Sequence, residues 1–390
     1  MKANEIIILS YINKFHSIDL YEIQKTVNEP LIQLVNTVED LFQREYIQNN
    51  GEGFWEVTGR VDSREVSMWD VWTWEYKEKK QKEFDWKEYR GEVSEAGFPV
   101  FDKVSGLNEA LQLSKIDADA YHCFALYSGE KIRMITAPGL PLKERQRWIL
   151  KHILENVSVG SCVHGFVKGR SIKTNAECHV GKKEILCLDM KDFFPSIHIE
   201  QVKEVFTKIG YSDEITQKLA ELCTCMGVLP QGAPTSPYIA NVVFGKIDDS
   251  LMRFADKYGL VYTRYADDLT FSSDGEIEQY LEPIIDIVQK GGFKIQQDKT
   301  HVMKDKYRKM VTGLLVNQKV RVPAAYKKKL RQEIYYCSKY GISQHLEAVG
   351  RKNAVNFREY LYGKAYYIKM IEEDVGEKFL EELDALFSLQ

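Results

Sequence analysis

The run Tyr262-Thr-Arg-Tyr-Ala-Asp-Asp-Leu-Thr-Phe271 sets two adjacent carboxylates, Asp267 and Asp268, among aromatic and apolar strand-forming residues. Neighbouring carboxylates repel each other and lose hydration in any partly buried setting, so the pair calls for a cation. A divalent metal is the obvious one. Upstream, Ile185-Leu-Cys-Leu188 reads as a buried strand ending at Asp189, with Asp192 three residues on and Pro195 stopping extended pairing. A strand delivering Asp189 and a hairpin delivering Asp267 and Asp268 would supply oxygen ligands for two magnesium ions. Such ions, about 3.5–4 Å apart, keep positions open for phosphate oxygens and can activate an attacking hydroxyl. Alone, Asp189 would equally read as a strand-end cap.

At 390 residues the chain predicts two or three domains. Its 44% apolar and 28% charged content is that of an ordinary soluble globular protein. No segment approaches a membrane-spanning apolar run, and the N-terminus lacks a signal-peptide pattern, so a cytoplasmic protein without a membrane partner is expected. The seven cysteines are scattered, and Cys223 and Cys225 have no second pair to complete a zinc site, which predicts reduced thiols. A net charge of −4 hides an uneven distribution: Lys304 to Lys369 holds 16 Lys or Arg against 4 Asp or Glu. Tyrosines interleave these cations, a pattern that suits a phosphate backbone with stacked bases.

Residues 1–61 read as a small winged-helix-like domain. Ile6–Ile12, Leu20–Val27 and Pro30–Tyr46 have helical spacing, and Ile47–Val61, with Asn-Asn-Gly at its centre, predicts a hairpin. The third of these helices carries Glu39, Asp40 and Glu45 against Arg44, a poor match to a DNA groove, which favours an RNA or protein interface. Residues 62–95 read as a Trp-rich linker or clasp. Mixed strands and helices then run to about residue 316, and helix follows.

At this point the chain resembles a known family. Tyr265-Ala-Asp-Asp268 resembles the catalytic box of reverse transcriptases, and ordered companions surround it. Lys131–Pro138 with Lys143–Arg147 is similar to the fingers motif, His164–Ser171 to the next one and Leu188–Ile197 to the first palm motif. Gly227–Pro237 resembles the nucleotide-contacting segment, and Gly292–Lys299 the lysine-bearing one. Within the family, Asn175-Ala-Glu-Cys-His179 and Val311-Thr-Gly313 resemble elements of bacterial retron enzymes.

The resemblance implies an α+β right-hand polymerase: fingers over 96–184, a palm with an antiparallel sheet over 185–316, and a helical thumb over 317–390. It implies Asp189, Asp267 and Asp268 as catalytic ligands of two Mg2+ ions. Gln231 and Gly232 would lie against the incoming nucleotide, Phe194 would exclude a ribose 2′-hydroxyl, and Lys131, Arg133 and Lys299 would handle the triphosphate and its leaving group. Asn175, His179, Val311, Thr312, Gly313, Lys327, Lys328, Lys329 and Arg331 are expected RNA contacts. The implied activity is RNA-directed DNA synthesis in antiphage defence, copying a structured noncoding RNA into short single-stranded DNA from an RNA 2′-hydroxyl. The RNA, its DNA product, deoxynucleoside triphosphates and an effector protein are the expected partners. The alternative is another bacterial defence enzyme or a group II intron-like reverse transcriptase, although the residues after Asn317 suffice for a thumb and not for an added endonuclease.

Overall fold

The computed structural model describes residues 8, 9, 12, 37–38, 40–44, 47–49, 55–57, 92–111, 121–128, 131–350 and 357–388, with the side chains at 49, 55–57, 125–128 and 131–133 outside that set. The three expected N-terminal helices lie largely outside the described residues, and so does most of the Trp-rich segment. The expected hairpin is present: β1 (Ile47–Asn49) pairs antiparallel with β2 (Trp55–Val57).

Along the rest of the chain come α1 (Val104–Ala110), the antiparallel pair β3 (Tyr121–Ser128) and β4 (Lys131–Pro138), α2 (Leu140–His152) and α3 (Ile172–Glu177). Strand β5 (Glu184–Lys191) leads to α4 (Ile199–Ile209), α5 (Asp213–Cys223) and α6 (Ser236–Tyr258). Next are β6 (Val261–Tyr265), β7 (Asp268–Ser273), α7 (Leu281–Lys290), β8 (Lys294–Ile295), β9 (His301–Met303), β10 (Met310–Val311) and β11 (Leu314–Leu315). Helices α8 (Ala324–Tyr340), α9 (Ile342–Ala348), α10 (Phe357–Ile371) and α11 (Glu373–Ser388) complete the chain. No helix among the described residues is long and apolar enough to cross a membrane.

The chain forms two compact units, Met1–Val159 with Asp192–Phe244, and Gly160–Lys191 with Gly245–Gln390. In the first, Gln146 is fully buried and its amide nitrogen donates to Tyr121 Oη and the Leu222 carbonyl, both at 2.8 Å, tying α2 to β3 and to the end of α5. Phe193 packs edge-on against Phe244 at 5.9 Å.

The second unit is built on a five-stranded antiparallel sheet. β7 lies between β6 and β5, and the far edge of β5 takes both β8 and β9. Ile185, Leu186, Leu188, Leu269 and Phe271 are all buried, so the central strands are covered on both faces and read as near-continuous apolar runs. Thr312 and Gly313, at φ +46° and +80°, make the two-residue turn between β10 and β11, the backbone sign that such hairpins demand. A second apolar cluster joins Val311, Leu314 and Val316 to Leu330 of α8, Leu361 and Ile368 of α10, and Leu383 of α11.

Candidate active site

Strand pairing brings the carboxylates together. In the β5–β7 register Asp189 lies directly opposite Asp268, and directly opposed residues of antiparallel strands point to the same face. Asp267 occupies the two-residue turn between β6 and β7, where its carbonyl accepts from Met190 N at 3.0 Å. Asp268 is reached by solvent, yet desolvation by the protein around it, then the charges of Asp267 and Asp189, push its carboxyl up to about 6. Lys299 pulls the other way, and its ammonium sits 2.7 Å from Asp189 Oδ1. A cation is therefore already bound to the cluster by the chain itself. Among the described residues no three His, Cys, Asp or Glu side chains converge as a ready-made metal-ligand set.

The turn bearing these groups is held from behind. Arg264 is fully buried, and its guanidinium grips Asp248 of α6, with Nε–Oδ1 at 2.9 Å and Nη2–Oδ2 at 2.6 Å. Its remaining nitrogen, Nη1, donates to the Ala266 carbonyl at 3.1 Å. Burial alone would lower the arginine pKa, but Asp248 reverses the sign and raises it, so the guanidinium keeps its charge. Tyr262 Oη adds a 2.8 Å donation to Asp248. Ala266 stands at φ +57°, a left-handed conformation that costs an L-residue roughly 1–2 kcal/mol. Gly165 presses on the same turn: a Cβ there would fall 2.5 Å from Ala266 N.

Apart from Lys299, the expected nucleotide contacts belong to the first unit. Lys131 and Arg133 lie on β4, opposite Ser128 and Leu126, with their side chains outside the described set. Gln231 is partly exposed, and its carbonyl accepts from Thr136 N at 2.8 Å. Gly232 has φ +136°, and a Cβ there would lie 2.8 Å from Ile135 Cγ2 and 3.0 Å from the Thr136 carbonyl, so the close approach it permits is to β4. Phe194 is half-buried beside Phe193, 5.5 Å between ring centroids.

Residues 128–321 match the family described as reverse transcriptase (RNA-dependent DNA polymerase). The chain is 33% identical over 266 residues to the Retron Ec86 reverse transcriptase of Escherichia coli, an alignment covering 64% of this chain and 83% of that protein. This chain belongs to the retron reverse transcriptases. Two Myxococcus xanthus relatives, the Retron Mx162 and Retron Mx65 reverse transcriptases, are each 34% identical, over 66% and 63% of this chain. The chain spans 58% and 60% of their respective lengths.

Several residues expected to contact RNA in this reverse transcriptase lie in its interior. Asn175 and His179 are 0% exposed and Val311 1%, so none offers a surface to a bound strand. His179 instead bridges Ser272 Oγ and Thr263 Oγ1, both at 2.7 Å, pinning the segment after α3 to β6 and β7. Burial pushes its pKa down to about 3, so the ring is neutral. Val311 packs in the apolar cluster, and Thr312 Oγ1 donates to the Ile172 carbonyl at 3.1 Å. Lys327 is committed to Glu372 at 2.8 Å, whereas Lys328, Lys329 and Arg331 are exposed on α8.

Sequence reasoning overlooked Arg264 and Asp248. The available signal was an arginine between Thr263 and Tyr265 in an otherwise buried strand, since a charge at such a position requires a buried partner.

Proposed function

We propose that this reverse transcriptase copies a structured noncoding RNA into short single-stranded DNA at Asp189, Asp267 and Asp268. The observation that carries the reading is the pairing of Asp189 with Asp268 across β5 and β7 beside a cation, Lys299. The donor chemistry suits hard divalent ions: three carboxylates, one of which burial and then its acidic neighbours raise to a pKa of about 6, together with a lysine that a metal can replace at Asp189. Bound Mg2+ would favour the ionised form of the attacking hydroxyl and offset charge on the departing pyrophosphate.

The chain's own residues do the rest. Lys299, displaced from Asp189, is close enough to the carboxylates to meet the leaving group. Phe194 at the partly exposed turn after β5 supplies the sugar gate, and Gln231 and Gly232 the nucleotide-facing edge of their turn, with Lys131 and Arg133 for the triphosphate. Fingers over 96–184, palm over 185–316 and thumb over 317–390 are the corresponding functional divisions, and the exposed Lys328, Lys329 and Arg331 supply an RNA-facing surface. Priming from an RNA 2′-hydroxyl, a role in antiphage defence and an effector partner follow from likeness to proteins named as retron reverse transcriptases and from the Asn175–His179 and Val311–Gly313 motifs.

The test is to purify the full chain from its native host and sequence the nucleic acid that accompanies it. An RNA joined through a 2′ branch to one short DNA is expected, and it should vanish from Asp267→Asn/Asp268→Asn protein. Intron RNA or tandem-repeat DNA in its place, or branched DNA from the double variant, overturns the reading.

A further inference from the structure

Phe166 has no part in the chemistry assigned so far, and its conformation needs a reason. Its φ is +60°, a region that bulky side chains enter rarely, and its side chain is left in solvent, with the residue 48% exposed. Neither apolar burial nor a favourable backbone explains the residue. Strain of this kind persists only where the surroundings enforce it, and it gathers at ligand contacts.

The surroundings here do enforce it. Before Phe166, the backbone of Cys162 and His164 brackets Arg264 in a parallel bridge, with His164 N to Arg264 O and Arg264 N to Cys162 O both 2.8 Å. Gly165 then lies against the Ala266 amide. After Phe166, Arg170 folds back and donates to the carbonyls of Gly160 and Val163. The Phe166 ring is delivered 6.4 Å from the Tyr265 ring, with 37° between their planes. An aromatic pair thus adjoins the turn at Ala266 and Asp267, with Tyr265 directly opposite Asp268 in the β6–β7 register.

We infer that Phe166 and Tyr265 form an aromatic ledge on which the terminal nucleotide of the growing strand rests. The inference builds on the carboxylate site proposed above. The hydroxyl that attacks must come to those carboxylates, and the nucleotide bearing it is the part of the substrate these rings can reach. Contact through a ring face accepts any base, as a polymerase adding all four requires. Phe166 is thereby a substrate-positioning residue of the polymerase reaction.

The test measures equilibrium binding of the full chain, without nucleotides, to an RNA template carrying a recessed DNA primer and to the same RNA alone. Phe166→Ala is expected to weaken the primed duplex about tenfold, a fall in line with the ~1–3 kcal/mol of one base–aromatic contact, and to leave the RNA alone unchanged. Phe166→Tyr should restore primed-duplex binding. Phe166→Gly removes ring and strain together, so its melting temperature should hold or rise while primed-duplex affinity falls. A purely structural role predicts the reverse: lower melting temperature for Phe166→Ala with unchanged affinity. Equal losses on primed and unprimed RNA, or no loss on either, overturn the inference. Because binding needs no chemistry, failure here is distinct from failure of the carboxylate reading, which retained synthesis by Asp267→Asn would reveal.

Discussion

Lys299 holds Asp189 at 2.7 Å, so the ammonium of one chain segment already engages a carboxylate oxygen that the proposed metal would need. The ion pair is partly exposed and contributes at most about 1 kcal/mol. Its removal should nonetheless be visible, because Asp189 and Asp268 then oppose each other across β5 and β7 with no ammonium to offset their charge. Lys299→Ala is expected to lower the metal-free melting temperature slightly and to enlarge the rise that Mg2+ produces. Differential scanning fluorimetry across a Mg2+ titration measures both, and an unchanged Mg2+ response would remove Lys299 from the site.

Asp268 makes the activity pH-dependent in a definite direction. Its pKa is raised from 3.8 to about 6, so the folded chain binds this proton more tightly than the unfolded one. This residue's contribution to stability is therefore best at low pH and declines as pH rises between those values. Metal binding requires the ionised form and runs opposite: apparent Mg2+ affinity should fall as pH drops through about 6. Mg2+ activation curves at pH 5.5, 6.5 and 7.5 are the check, and Lys299→Ala should shift the transition upward.

Asp268→Asn should separate stability from function. The substitution relieves repulsion with Asp267 and Asp189, so the melting temperature should stay level or rise while deoxynucleotide incorporation is lost. A primer-extension assay on purified, folded variant decides the second part; synthesis above a thousandth of the parent rate would count against the assignment.

Arg264→Met should be among the most damaging substitutions in the second unit. It strands Asp248 as a buried charge, a change that costs about 3–5 kcal/mol, and it frees the Ala266 carbonyl. Replacing both partners, Arg264→Met with Asp248→Leu, should recover much of the stability. It should not recover incorporation, because the tie to the turn is still missing. Chemical denaturation beside primer extension distinguishes the two effects.

His179→Leu tests the interior role of that residue. Two buried hydroxyls, Thr263 and Ser272, lose a partner at about 1–3 kcal/mol each, so stability should fall. Affinity of the remaining folded protein for RNA should be unchanged, as measured by filter binding below the melting transition.

These residues also mark how far sequence could be read. The apolar strand carrying Asp189 and the hairpin turn at Asp267 were legible because apolar runs punctuated by acids have few structural solutions, although the strand runs on to Lys191 rather than ending at Asp189. His179 and Asn175 were misassigned because a motif records which residues recur together and says nothing of which way they face. Gly232 was expected to let the backbone approach a nucleotide, and the close approach in the structure is to Ile135 and Thr136 of β4, a neighbour that the sequence could not name. Arg264 escaped notice because the catalytic box beginning one residue later drew the whole stretch to itself. Its partner lies on a different element, sixteen positions upstream.

The antiparallel register of β5 against β7 has a consequence for what lineages can change. Asp189 and Asp268 arrive from strands separated by three helices and β6, and the loops joining those helices can lengthen or shorten without altering the β5–β7 register. Deleting a single residue inside β5 is another matter: it would turn Asp189 toward the opposite face of the sheet and bring Leu188 or Met190 to the face that Asp268 occupies. Insertions and deletions should therefore be found in the loops joining the three helices and be absent within the strands.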